Sequence, residues 1–161
     1  MDERGDRIER LYASRIQEAT RLAYLLIGQR ELAEDLAQDA FVKAAGRFRY
    51  LRGEDAFGAY LMKTVVNACK SHWRHRKVER NYLQKTKAER RATSHQADIP
   101  QRLAIVDALD ELPLRQRTAV VLRHYADLSE RRMADLMGCA VGTVKTLTSR
   151  GLAMLRERMD P

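Results

Sequence analysis

The chain has 161 residues, which suits one domain or two small ones. Charged residues make up 32% of it and aromatic residues only 6%, so any core rests on Leu, Ala, Val, Ile and Met, which favours small helical units over sheets. A formal charge of +8 and a pI near 9.8 point to an anionic partner, nucleic acid first and a membrane surface second.

The opening stretch, MDERGDRIER, is charged throughout and lacks the apolar core of a signal peptide. No apolar run approaches membrane-spanning length, so the chain reads as soluble and cytoplasmic. From Ile8 onward, Leu11, Tyr12, Ile16, Ala19, Leu22, Ala23 and Leu26 recur at steps of three and four and predict an amphipathic helix that stops at Gly28. Leu32, Leu36, Ala40 and Phe41 repeat the period in a second helix. Its acids, Glu31, Glu34, Asp35 and Asp39, crowd the first turns, where the helix dipole favours them. RYLRGEDA, Arg49–Ala56, reads as a loop because of Gly53 and its charges. A third helix follows, with Phe57, Tyr60, Leu61, Val65, Ala68 and Cys69 near one side.

Val78–Arg102 has few large apolar residues and no sustained period, and Pro100 stands near its end. It reads as a basic linker, with a solvated helical extension as the other reading of Val78–Arg91. RLAIVDALDEL and PLRQRTAVVLRHYA then predict two more helices, with Pro113 at the start of the second. No strand pattern and no internal repeat occurs. The fold class is all-α: two small helical domains, residues 1–77 and 103–161, joined by the linker 78–102.

The stretch MADLMGCAVGTVKTLTSRG reads as a helix-turn-helix. That motif needs apolar residues where its helices face each other, a small residue where they approach, and glycine in the turn. Met133, Met137, Cys139, Val144 and Leu147 meet the first need, Ala134 the second and Gly138 the third. Ser129 is placed to cap the first helix. The second helix of such a motif enters the major groove. Its outward residues here are Thr143, Lys145, Thr146, Ser149 and Arg150, whose donors suit guanine edges or phosphates. An ordinary helical hairpin with a solvated face is the plainer alternative. Gly151 in the helix interior carries a propensity cost of about 1 kcal/mol.

The end of the third helix, NACKSHWRHRK, gathers Lys70, Arg74, Arg76 and Lys77 around Trp73. Basic residues interleaved with an aromatic suit DNA whose bases are unstacked; Trp73 as a core anchor is the alternative. Cys69, His72 and His75 follow one another by threes, but a helix spreads that spacing around its surface and no fourth ligand is apparent, so no metal site is expected. With only two cysteines, Cys69 and Cys139, a disulfide framework is excluded. No phosphate-binding glycine loop and no catalytic triad or paired carboxylates stand out. Neither an enzyme nor a cofactor is expected.

AEDLAQDAFVKAAGRF, then AFGAYLMKTVVNACKSHWRHRK, then LDELPLRQRTAVVLRHYADLSERRMADLMGCAVGTVKTLTSR resemble, in that order, the signatures of bacterial extracytoplasmic-function sigma factors of the sigma-70 family. The short actinobacterial SigE-like subgroup is the nearest in pattern. The resemblance covers roughly Ile8–Lys77 and Leu103–Leu155. It implies sigma domain 2 and sigma domain 4, a protein that binds the RNA polymerase core, selects a promoter and helps melt it. It implies that Glu34, Asp35, Gln38 and Asp39 dock on core polymerase, and that Arg49–Ala56 captures a flipped minus-ten base. Asn67, Lys70, Ser71 and Arg74 would meet the minus-ten element, and Lys145, Thr146 and Arg150 the minus-thirty-five element. The implied partners are bacterial RNA polymerase core, promoter DNA and an anti-sigma factor. The sequence departs from the family at Leu147, Gly151, Arg131 and Arg132. A DNA-binding regulator independent of polymerase and a polymerase-binding adaptor are the rival classes; the first has no need of the acidic block AEDLAQDA.

Overall fold

The computed structural model describes residues 2–82 and 104–160. Within them the chain forms α-helices joined by short turns, with no strand among the described residues. Most of the linker expected at Val78–Arg102 lies outside the described residues.

Helix α1 spans Glu3–Ile27. It begins before the periodic pattern does, because the Asp2 carboxylate accepts from the Arg4 amide and caps a polar first turn. It ends where expected: Gly28 takes φ 80° and its N–H donates to the Tyr24 carbonyl at 2.7 Å. Helix α2 spans Arg30–Gly46. Its buried row is Ala33, Ala37, Ala40, Phe41 and Ala44, whereas Leu32 and Leu36 are only half-buried. Ala40 and Phe41 are buried as expected, while Leu32 and Leu36 pack at the edge of the core. Small alanines let α2 lie close on α1, and the larger side chains flank that seam.

The expected loop Arg49–Ala56 is shorter than predicted. Phe48–Tyr50 form a 3-10 turn, and helix α3 begins at Gly53 and runs to Tyr82. Glu54 and Asp55 occupy its first turn, where the dipole stabilises them. Glycine and charge read as loop signals, but here they mark a helix start. At its other end α3 passes Lys77, so the first residues assigned to the linker are helical. Edge-to-face rings at 5.0, 5.4 and 6.2 Å run from Tyr12 through Phe41 and Phe57 to Phe48 and tie α1, α2, the 3-10 turn and α3 together.

After the undescribed segment come α4 (Ala104–Asp110), α5 (Leu114–His124), α6 (Glu130–Met137) and α7 (Val141–Met159). Pro113 is the N-cap of α5. Val106, Leu109, Leu112, Val121, Leu122, Met133, Val144 and Leu155 are all buried. Arg158 and Glu111 pair across the α4 and α7 ends. Helices α4 and α5 also pack on α1, so the buried residues of the two helical groups are continuous.

Candidate nucleic-acid interface

Helices α6 and α7 are built as the helix-turn-helix pattern requires. Ser129 accepts from the Arg132 amide at 3.2 Å and caps α6. Gly138 closes it at φ 65°. Met133 and Val144 are fully buried between the helices, with Ala134 and Met137 beside them. Leu147 is half-buried and packs on this core, so its apolar character serves the motif rather than the reading face.

The sequence-predicted outward residues of α7 fall on one side. Lys145, Thr146, Ser149 and Arg150 are exposed, and Thr143 is half-buried. Thr146 Oγ1 donates back to the Gly142 carbonyl at 3.1 Å, which fixes its rotamer while its lone pairs stay free. Ala140 at the N-cap has no side-chain acceptor, so no N-cap side chain satisfies the first-turn amides of α7, which carry the helix's partial positive charge.

On α3, Asn67, Lys70, Ser71 and Arg74 form a stripe at helical spacing. Asn67, Ser71 and Arg74 are exposed, but Lys70 is half-buried and donates from Nζ to the Met137 carbonyl of α6 at 3.4 Å. Burial, with the Arg115 and Arg74 charges nearby, holds the Lys70 ammonium below its ordinary pKa, against a smaller opposing pull from Cys139. Trp73 acts as the anchor of the two readings the sequence left open. Its Nε1 donates to the Leu26 carbonyl at 3.2 Å. His72 beside it has a buried Nε2 without a hydrogen-bond partner, and burial, with Arg76 next in weight, lowers its pKa. Among the described residues no group of three His, Cys, Asp or Glu is arranged to hold a metal ion.

The acids of α2 lie on its outer side. Glu34, Asp35 and Asp39 are exposed, and so is Val42 at 68%. Gln38 differs: its amide donates to the Tyr12 hydroxyl and bridges α2 to α1.

Sequence reading passed over one residue that organises the whole. Arg117 of α5 is 4% exposed. Its Nε donates to the Leu109 carbonyl at 2.8 Å, Nη2 to the Asp110 and Leu112 carbonyls at 3.1 and 3.0 Å, and Nη1 to the Leu26 carbonyl at 2.7 Å. The Asp110 carboxylate stands 3.9 Å away, and the Trp73 ring centroid 5.0 Å. A buried guanidinium needs this many acceptors to offset its lost hydration. The available signal was an arginine on the apolar side of α5, in step with Leu114 and Val121.

Among the described residues the fold is helical, with a helix-turn-helix at one end, which is the arrangement of a DNA-binding protein. Comparison with known proteins is specific. Sigma-70 region 2 matches residues 11–79, and sigma-70 region 4 matches residues 102–155. The RNA polymerase sigma-E factor of Streptomyces coelicolor is 35% identical over 130 residues, covering 79% of this chain and 71% of that protein. The ECF RNA polymerase sigma factor SigM of Mycobacterium tuberculosis is 33% identical over 156 residues, covering 94% and 77%. Among solved structures, the sigma factor RpoE of Bartonella quintana, determined with the anti-sigma factor NepR, superposes with a TM-score of 0.72 at 22% identity. That match covers 95% of this chain and 98% of the other, and supports the fold. The chain belongs to the sigma-70 family, in its extracytoplasmic-function branch, and is an RNA polymerase sigma factor for promoter-specific transcription initiation. Among the described residues no helix is long and apolar enough to cross a membrane.

Proposed function

We propose that α7 reads the minus-thirty-five element through Lys145, Thr146 and Arg150, with Thr143 and Ser149 beside them. The α3 stripe Asn67, Lys70, Ser71 and Arg74 meets the minus-ten element. The outer side of α2, with Glu34, Asp35, Gln38 and Asp39, docks on core polymerase. The partners in this reading are bacterial RNA polymerase core and promoter DNA, with an anti-sigma factor as a further one. The protein does no chemistry itself and works in the cytoplasm.

The supporting observation is the row Lys145, Thr146, Ser149 and Arg150, exposed together on a helix whose other side is locked by Met133 and Val144. Such a row can donate to base edges and phosphates without any change of backbone. Each helical group offers only a handful of cations, so either alone binds DNA weakly and with strong salt dependence. Holding both on one polymerase raises the effective concentration of the second contact.

The α2 assignment is tested by co-elution. Purified protein should co-elute with bacterial core polymerase, and Asp35→Lys with Asp39→Lys should abolish this while leaving the helical circular-dichroism signal unchanged. Undiminished co-elution of that variant would remove α2 from the polymerase surface.

A further inference from the structure

Helix α1 opens with Arg4, Arg7 and Arg10 at steps of three, which gathers them toward one side. With Arg49 of the 3-10 turn they line a cavity of about 620 Å³. The carboxylates of Asp2, Glu3 and Glu54 line it too. Asp2 is already engaged, capping α1 through the Arg4 amide. Among the described residues none of the four arginines makes an ion pair. The Arg7 guanidinium lies over the Phe48 ring, 5.6 Å from its centroid, and Arg10 Nε donates to the Asp6 carbonyl at 3.4 Å. A guanidinium carries five N–H donors, so these contacts orient the groups and leave most donors open. Tyr50, next to Arg49, is 76% exposed, more than any other large apolar side chain among the described residues.

The cavity stands at the start of α3, since Leu51, Gly53 and Glu54 belong to its wall. The α3 stripe begins at Asn67, roughly 20 Å further along the helix. A strand that meets the stripe and leaves a base at Arg49–Ala56 runs on past the start of α3, toward the arginines. Guanidinium forks match phosphate oxygens, and a row of cations beside an exposed aromatic suits a single strand.

We propose that Arg4, Arg7, Arg10 and Arg49 bind the phosphates of the melted promoter strand on the start-site side of the minus-ten element, with one of its bases stacked on Tyr50. Bases still paired in a duplex cannot stack there. The contact therefore favours opened over closed DNA and helps hold the strands apart. The proposal rests on the reading of α3 given above.

The test uses holoenzyme formed with bacterial core polymerase and two fork DNAs from a promoter mapped by its transcript starts. One fork ends its single strand at the minus-ten element. The other continues for several nucleotides toward the start. At low salt the wild type should bind the longer fork about tenfold more tightly, with a log–log salt slope steeper by about 2, as expected for about three phosphates at about 0.7 each. Arg4→Gln, Arg7→Gln and Arg10→Gln together preserve helix propensity. This variant should lose both gains while binding the shorter fork as the wild type does. Tyr50→Ala should weaken binding of the longer fork severalfold with the slope unchanged, and no weakening overturns the stacking contact. An equal gain from the longer strand in the triple variant overturns the phosphate contacts. So does an equal loss on both forks, which marks a general effect of charge. A wild-type holoenzyme that fails to bind the shorter fork instead sinks the α3 reading.

A second measurement uses the unmodified chain. Phenylglyoxal labelling of Arg4, Arg7, Arg10 and Arg49 in the holoenzyme, read by peptide mass spectrometry, should fall severalfold with the longer fork and not with the shorter. Protection by core polymerase alone overturns the proposal by placing the arginines against protein. Equal protection by millimolar ATP overturns it by making the cavity a site for free nucleotide.

Discussion

Gly151 of α7 and Val120 of α5 meet so closely that a Cβ on Gly151 would stand 2.7 Å from Val120 Cγ2 and 3.0 Å from the Gln116 carbonyl. Gly151 is buried at this crossing. The glycine therefore sets the distance between α7 and the helix that supports it. Gly151→Ala should recover about 1 kcal/mol of helix propensity and lose about 1–3 kcal/mol to overpacking. A net loss of about 1 kcal/mol would lower the thermal midpoint by about 2–4 °C. A raised midpoint in differential scanning calorimetry would mean that α5 yields freely at this crossing.

Arg117→Lys should be costly although it keeps the charge. A lysine ammonium cannot serve four carbonyls spread around a planar fork, and the carbonyls it abandons are buried. The expected loss is about 2–4 kcal/mol in urea unfolding. A loss under about 0.5 kcal/mol, the level of an ordinary surface change, would show that water replaces the guanidinium.

Cys69 gives a pH signature. Burial pushes its thiol up from 9.0 to about 12, against a smaller opposing pull from Arg117. The folded state favours the neutral thiol, so this contribution is complete below pH 9.0 and fades as pH rises toward about 12. Wild-type stability should fall more steeply than that of Cys69→Ala above pH 9.0, as followed by urea unfolding at successive pH values. Parallel curves would place the thiol in contact with water.

Lys145 is assigned to a base edge or a phosphate, and salt separates the two. If it neutralises a phosphate within the polymerase–promoter complex, Lys145→Ala should weaken binding evenly across sequences and lower the salt slope by about 1. A changed preference at one base pair with the slope intact would make it a base contact. No change in either would take Lys145 off the DNA.

The helix-turn-helix was legible because each of its positions answers a local demand: a cap at Ser129, a left-handed turn at Gly138, buried faces at Met133 and Val144. The α1 stop at Gly28 was legible for the same reason. On α2 the pattern places Ala40 and Phe41 correctly but overrates Leu32 and Leu36 and passes over Ala33, Ala37 and Ala44, because leucines outweigh alanines in any hydrophobic reading, while close helix packing selects the smaller side chain. Gly53 misled because glycine followed by acids suits both a loop and a helix start. The meeting of Arg117 with Leu26 left no periodic trace. Its acceptor is a backbone carbonyl far away in sequence, which no residue type encodes. The roles proposed for Lys145 and Arg150 rest on motif and resemblance together; the structure adds that both lie exposed on one helix.

Run-off transcription with purified core polymerase, on a promoter mapped by start-site sequencing after overexpression, bears most directly on the central claim. The wild-type protein should direct specific initiation. The double variant Lys145→Ala with Arg150→Ala should still co-elute with core but lose transcription by about tenfold or more, as expected when two groove contacts worth about 1–3 kcal/mol each are removed. Wild-type protein that fails to direct initiation, or a double variant that transcribes as well as the wild type, would contradict the account.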